Sequence, residues 1–472
     1  MRLSSDYRWN IAHISGRLRV SESFDIIERH LDTAGGEITL FYIDGFVKDG
    51  EMQRMMQYLL TAKSINGAGE MVRRLPYMEV ELENDVGKMV TAVLSGQSLM
   101  LAESFGDEAV LIDMRTYPAR STAEPDSDRV MQGSHDGFVE TLVMNTALIR
   151  RRIRDERLTM EHINIGGSSK TDIVICYMSG VADSATVKKI REKIKGAKPK
   201  SLTLGFQSLA ESVIRRGWLN PFPKIRTTER PDTAAAQLLE GSVLVICDTS
   251  PQVMILPTSI FDYLQQTDDY YFPPLTGTYM RIIRTLILLL SVVSTPLWYM
   301  CVYYSERLPE SLAFLIPSEP GALPILLQLI LVELAIDGLK IASMNTPDML
   351  SNSLSVVGAL ILGDFAIEVG WLCADVIFYM AFVAIANFAQ QNHELGYAFK
   401  FVRIITLLLT AAIGIYGFVG GILFGILLVV TNKTLLGRGY LYPLCPFNSK
   451  ALKRLFFRVR KTDFEEEKNQ HG

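Results

Sequence analysis

Two sets of carboxylates sit where carboxylates are expensive. Glu333 and Asp337 fall four apart inside LPILLQLILVELAIDGLKIAS (323–343), and Asp364 and Glu368 fall four apart inside LSVVGALILGDFAIEVG. Four residues is about one helical turn, so each pair shares a helix face. Lys340 follows on the first face, and Asp375 joins the second only where the helix runs unbroken through Gly370. A carboxylate at the centre of a membrane helix costs ~2.5–3.5 kcal/mol on insertion scales, so such residues face a wet cavity or a partner charge. Rings of Asp or Glu are one way a membrane protein passes cations. Glu333, Asp337, Asp364 and Glu368 are therefore the candidate pore-lining residues. An Asp337–Lys340 pair at the membrane edge would neutralise part of the first face, which makes Glu368 and Asp364 the sharper candidates.

The elements that must position them are apolar runs. Residues 1–280 read as a soluble protein, and from Thr285 the chain turns apolar. The first run, 285–304, follows Arg281 and Arg284 and ends in Trp298, Tyr299, Tyr303 and Tyr304, as expected of a helix leaving the cytoplasm. The run at 354–389 has 36 residues, too many for one span at ~1.5 Å rise and ~30 Å of hydrocarbon. Gly370 marks a break in it. A loop with His393, Glu394, Lys400 and Arg403 is expected next. The last run, 404–430, carries glycines at 414, 417, 420, 421 and 425, and small residues at such spacing let helices pack closely. The tail KALKRLFFRVRK (450–461) is basic and reads as cytoplasmic. Both ends on one side require an even number of crossings. The transmembrane domain, 285–431, has about five apolar segments, so one is re-entrant or a hairpin, either 354–370 or the last run.

The chain has 472 residues and a formal net charge of −4, so nothing in its balance points to nucleic acid. Its five cysteines are odd in number and lack CxxC spacing, which argues against a disulfide framework or a zinc site. Cys176 and Cys247 lie in apolar, strand-like runs and read as core residues. MRLSSDYRWNIAHISGRLRV has no apolar h-region and is not a signal peptide, so the soluble part is expected in the cytoplasm. No catalytic constellation stands out: GGSSK (166–170) lacks P-loop spacing, the histidines form no HExxH, and there is no G-x-S-x-G. Asp44, Asp113 and Asp248 fall at strand ends, where turn roles explain them. The expectation is a non-enzyme with neither cofactor nor metal.

The soluble half contains a repeat. TLFYIDGFVKDGEMQRMMQYLL (39–60) and VLSGQSLMLAESFGDEAVLIDMRTYP (93–118) correspond to DIVICYMSGVADSATVKKIREKIK (172–195) and LLEGSVLVICDTSPQVMILPTSIF (238–261). Gly45 matches Gly180, and Gly96 matches Gly241. Each copy runs strand, glycine turn, helix, then a later hairpin. The strand-then-helix start predicts a parallel or mixed sheet with an antiparallel hairpin. The expected fold class is thus α/β plus an all-α membrane domain: two small repeated α/β cytoplasmic subdomains, 25–120 and 159–265, followed by a polytopic helical transmembrane domain. An N-terminal segment (1–24), a juxtamembrane segment (266–284) and a basic cytoplasmic tail (432–472) complete the order. The linker 121–158 ends in a helix over 138–158 with a basic cluster, Arg150, Arg151, Arg152, Arg154 and Arg157. The cluster is a solvated helix end, which the dipole favours, or a contact for anionic lipid headgroups or a neighbouring subunit.

Three segments carry a family resemblance: GSHDGFVETLVMNTALIRRRIRDERL, NPFPKIRTTERPDTAAAQLLEGSVLVICDTSPQVMILP (220–257) and DYYFPPLTGTYMRIIR (269–284). They resemble the GerA-type spore germination receptor A subunits, over nearly the whole chain. NTALIRRRIRDERL and the run around LILVELAIDGLKIASMNTPDML are most similar to the stage V sporulation protein AF branch of that family. Receptor A subunits more often carry a Glu-Ala-Gly-like stretch where Ile336–Leu339 stand here, which points away from direct nutrient reception. The resemblance implies a multi-pass protein of the spore inner membrane. It also implies a homo-oligomer around an ion path that releases monovalent cations, working beside other germination membrane subunits.

Three readings follow. One is a cation-conducting channel subunit. The second is an assembly or signalling platform that conducts nothing, in which the acids only pair between helices. The third is a secondary transporter, from the Gly-interrupted helices, though the membrane half shows no inverted duplication.

Overall fold

The repeated segments build two sheets with one strand order. The computed structural model describes residues 1–62, 64–116, 128, 133–214, 220–319, 321–345, 366–390, 392–432, 434 and 440–457. The first sheet contains β1 (Ile26–Thr33), β2 (Gly36–Ile43), β3 (Val80–Glu83), β4 (Ser98–Ala102) and β5 (Ala109–Ile112), in the order β1-β2-β4-β5-β3. The second contains β6 (Leu158–Ile165), β7 (Thr171–Met178), β8 (Arg226–Thr228), β9 (Val243–Cys247) and β10 (Val253–Leu256), in the order β6-β7-β9-β10-β8. Every described strand pairing is antiparallel. This corrects the expectation of a parallel or mixed sheet. The strand before each glycine turn is already the second arm of a hairpin, so the helix after it does not close a βαβ crossover.

Helices cover both faces of each sheet. Around the first lie α1 (Tyr7–Leu18), α2 (Asp49–Thr61), α3 (Ala68–Arg74) and α4 (Val86–Leu94). Successive β4 residues point to opposite faces: Leu99 and Leu101 pack with Ile14, Met89 and Val93, whereas Met100 and Ala102 pack with Met55, Leu59 and Met71. The second sheet repeats this between α5 (Leu142–Arg152) with α8 (Pro231–Leu239) on one side and α6 (Ser184–Gly196) with α7 (Phe206–Val213) on the other. Cys176 and Cys247 are buried in these cores, and all five cysteines are free. The matched glycines share backbone as well as sequence. Gly45 and Gly180 have φ of 81° and 79°, and Gly96 and Gly241 have 99° and 100°, values that a side chain adopts only with strain.

Both sheets belong to one unit: Met1–Arg216, Ile225–Thr258 and Thr434–Arg438. The second unit comprises Gly217–Lys224, Ser259–Lys433 and Gly439–Gly472. Its helices are α9 (Asp268–Tyr271), α10 (Pro274–Tyr303), α11 (Ile325–Asn345), α12 (Ala374–Phe388), α13 (His393–Ile413), α14 (Ile415–Thr431) and α15 (Ser449–Phe456), with a single helical turn at Ala366–Glu368. Two expectations change here. The segment with His393, Lys400 and Arg403 is helix rather than loop. The run 404–430 is two helices, broken at Gly414, whose φ is 62°. Gly370, with φ of 78°, separates Glu368 from Asp375, which opens α12. Asp364 lies outside the described residues.

Hydrogen bonds at one end of this unit set the helix directions. Ala322 N–H, just before α11, donates to Gly370 O (2.8 Å), and Cys373 N–H, just before α12, donates to Gln328 Oε1 (2.9 Å). Ile415 N–H, at the α13–α14 turn, donates to the Tyr304 hydroxyl at the end of α10 (3.4 Å). So α10 and α13 run toward this end, and α11, α12 and α14 run away from it. Gly417, Gly421 and Gly425 line the α14 face that meets α13. A Cβ at Gly421 would stand 2.6 Å from Thr406 Cα, and one at Gly425 would stand 2.6 Å from Val402 Cγ1.

Candidate functional site

Glu333 and Asp337 sit on consecutive turns of α11 and face α13. Arg403 Nη2 donates to Glu333 Oε1 at 2.6 Å, and Lys400 Nζ lies 3.2 Å from the same oxygen. Lys400 also pairs with Asp337. Arg403 Nη1 donates to the Ser291 carbonyl of α10 at 3.3 Å, so three helices meet at one guanidinium. Glu333, Lys400 and Arg403 are all buried. Two carboxylates thus face two cations, and the cluster is balanced in charge. A short charge-assisted contact offsets the cost of taking these groups out of water.

The cluster lies at mid-height. Arg403 is near the middle of the 21-residue α13, and Glu333 is about 12 Å along α11 from its start at ~1.5 Å per residue. The expected Asp337–Lys340 pair is not the one formed: Lys340 stands over the Tyr397 ring, 4.9 Å from its centroid, and Lys400 takes Asp337. Glu368 is elsewhere. It lies on the short turn before Gly370, exposed and at the end of the unit where α11 begins. Of the four candidate carboxylates, the structure therefore brings together Glu333 and Asp337 and sets Glu368 apart.

Lys400 and Arg403, expected in a loop, lie outside the candidate set. Their signal was present: Lys400, Arg403, Thr406 and Thr410 recur at intervals of 3, 3 and 4, one helix face, and all four are buried. Thr406 and Thr410 donate to the carbonyls of Val402 and Thr406, both at 2.7 Å, which satisfies their hydroxyls within the helix.

The basic cluster also has to be corrected. Arg150 is fully buried, and its guanidinium forks onto Asp25, Nε to Oδ2 at 2.8 Å and Nη2 to Oδ1 at 3.1 Å, with Leu158 O at 3.2 Å. Arg152 is held by Asp136, with contacts of 2.6 and 2.7 Å. Burial raises the Asp136 carboxyl, but the hydrogen bonds from Arg152 and Ser134 together with the Arg152 charge outweigh it and hold the group below its ordinary range. Both guanidinium groups are thus paired within the chain. Arg151 and Arg154 remain at the surface, and Arg157 pairs with Asp155.

In the α/β unit the carboxylates at strand ends have structural partners. Asp113 pairs with Arg115, and Asp248 Oδ1 accepts the Leu142 N–H at the start of α5 (3.1 Å). Phe24, Thr141–Val143, His162, Asp172 and Asp248 outline a shallow cleft of about 240 Å³. Its Asp172 is engaged by Asn164 (2.8 Å) and His162 (2.9 Å). Among the described residues no group of three or more His, Cys, Asp or Glu is placed to hold a metal ion.

Residues 14–470 match the model of the Bacillus/Clostridium GerA spore germination protein family. The chain belongs to this family. It is 36% identical to the stage V sporulation protein AF of Bacillus subtilis over 460 residues, 96% of this chain and 92% of the relative. It is 27% identical to spore germination protein KA of the same organism, across 93% of this chain and 82% of that protein. The crystal structure of the N-terminal domain of the A subunit of the Bacillus megaterium spore germinant receptor GerK3 aligns at TM-score 0.40 and 23% identity. That alignment covers 54% of this chain and 96% of that domain. Among the described residues of this GerA-family chain two helices, Pro274–Tyr303 and His393–Ile413, are long and apolar enough to cross a membrane.

Proposed function

We propose that this chain is a multi-pass subunit of a homo-oligomeric assembly in the spore inner membrane, and that it passes monovalent cations during germination beside other germination membrane subunits. Its α/β unit would lie in the cytoplasm. The observation that carries the membrane-spanning part of the reading is an ionisable cluster at mid-height among helices with apolar, exposed outer faces; the conducting part rests on Glu368, exposed beside a helix break. Leu289, Leu334, Phe378, Leu408 and Leu423 are all exposed, and a bilayer would cover such apolar faces. Charged groups inside such helices raise a functional hypothesis, weighed by the partners they find.

The geometry divides the carboxylates. Glu333 and Asp337 are neutralised within the subunit and hold α11 on α13. Glu368, exposed beside a helix break, is free to face a path between subunits, and Asp364 keeps that candidacy on spacing alone. In spores carrying Glu368→Ala at normal protein level, monovalent cation release slows severalfold. Normal release at normal protein level would overturn the assignment of Glu368 to the path.

The pairing of Glu333 and Asp337 with Lys400 and Arg403 also favours a second reading, a platform that conducts nothing and whose acids only join helices. Conductance of the purified chain separates the two.

A further inference from the structure

α10 is longer than the hydrocarbon it would cross, and the excess is at its start. Its 30 residues span about 45 Å, the thickness of a bilayer with its headgroups, whereas ~30 Å suffices for the hydrocarbon. The apolar run begins at Thr285, which leaves the first three turns at the depth of the headgroups. Those turns expose Leu275 (83%), Tyr279 (60%) and Ile282. Arg281 and Arg284, the cations before the apolar run, are not available to lipid. Both are buried on Asp269, with Arg281 Nε at 3.2 Å and Arg284 Nη1 and Nη2 at 3.1 Å.

α15 docks on these same turns, where Arg281 Nη1 donates to Leu455 O at 3.4 Å. It is amphipathic. Leu452, Leu455 and Phe456 are half-buried and Lys453 is exposed, while Phe447 (70%) and Phe457 flank the helix in the open. In sequence, Lys450, Lys453 and Arg454 recur at helical spacing. Exposed aromatics at headgroup depth beside a basic amphipathic helix have the two features that bind an anionic interface, apolar insertion and charge complementarity.

Resting on the membrane-spanning reading of α10, we infer that α15 and the first turns of α10 form an interfacial collar that binds anionic lipid headgroups.

The test uses the full chain carrying Phe457→Trp, reconstituted in phosphatidylcholine vesicles with increasing brominated phosphatidylglycerol. The added indole is quenched beyond the parent protein, and at a lower mole fraction than with brominated phosphatidylcholine. Adding Lys453→Glu raises the mole fraction for half-maximal quenching at least roughly fivefold, the loss of one surface cation. Retention of the protein through alkaline carbonate with no added quenching, or with equal quenching by both lipids, overturns the inference alone. Release by carbonate overturns the spanning reading and the inference with it.

Discussion

Arg150 and Arg403 both lie out of solvent, one in each unit, and each takes one carboxylate: Asp25 for Arg150 and Glu333 for Arg403. Removing one partner of such a pair strands the other charge and typically costs ~3–5 kcal/mol, whereas replacing both with apolar groups is close to neutral. Glu333→Ala should therefore lower the thermal stability of the detergent-solubilised chain by about that amount, and Glu333→Leu with Arg403→Met should recover most of it. Thermal unfolding of the three proteins checks this. A mild effect of Glu333→Ala alone would mean that Glu333 faces water in an assembly rather than Arg403. The acids of this cluster were legible because carboxylates stand out in an apolar run. The bases were not, because Asn392, Glu394, Lys400 and Arg403 depress hydropathy enough to read as a loop. The arginines of α5 misled in the opposite way. Their types and adjacency imitate an anion-binding patch, and only the fold reveals that Asp25 and Asp136 were already waiting for two of them.

Elements were easiest to read where glycine left a mark. Gly45, Gly96, Gly180 and Gly241 located the turns of both repeats, and their near-identical φ values show why the residue recurs. The first strand of each sheet escaped notice for a physical reason. β1, IIERHLDT, is an edge strand, and edges carry charge to prevent pairing with other chains. Without that strand the hairpin was invisible, and an antiparallel sheet looked parallel. In the helical unit the glycines of α14 work through contact rather than φ. Gly421 meets Thr406, whereas nothing stands within 4 Å of a Cβ at Gly420. Gly421→Val should drive α13 and α14 apart, at ~1–3 kcal/mol or more, and Gly420→Val should leave the hairpin intact. Thermal unfolding in detergent, with the amount of folded protein recovered, distinguishes the adjacent positions. Equal damage from both would show that α14 packs through a different face.

At the scale of the whole molecule, family membership and the helical unit support one account: a germination protein whose apolar helices carry charge at mid-height, joined to an α/β unit built from two copies of one sheet. The sequence showed a soluble half and an apolar half, but hydropathy alone could not tell a paired carboxylate from one facing a path. That distinction depends on which helices lie side by side. The structure assigns Glu333 and Asp337 to pairing and leaves Glu368 open. The most direct test is the current carried by the purified full-length chain in planar bilayers under a potassium chloride gradient. A cation-selective conductance that falls severalfold in Glu368→Ala protein is expected. A chain that inserts and assembles yet carries no current, or carries one with no preference for cations, would contradict it.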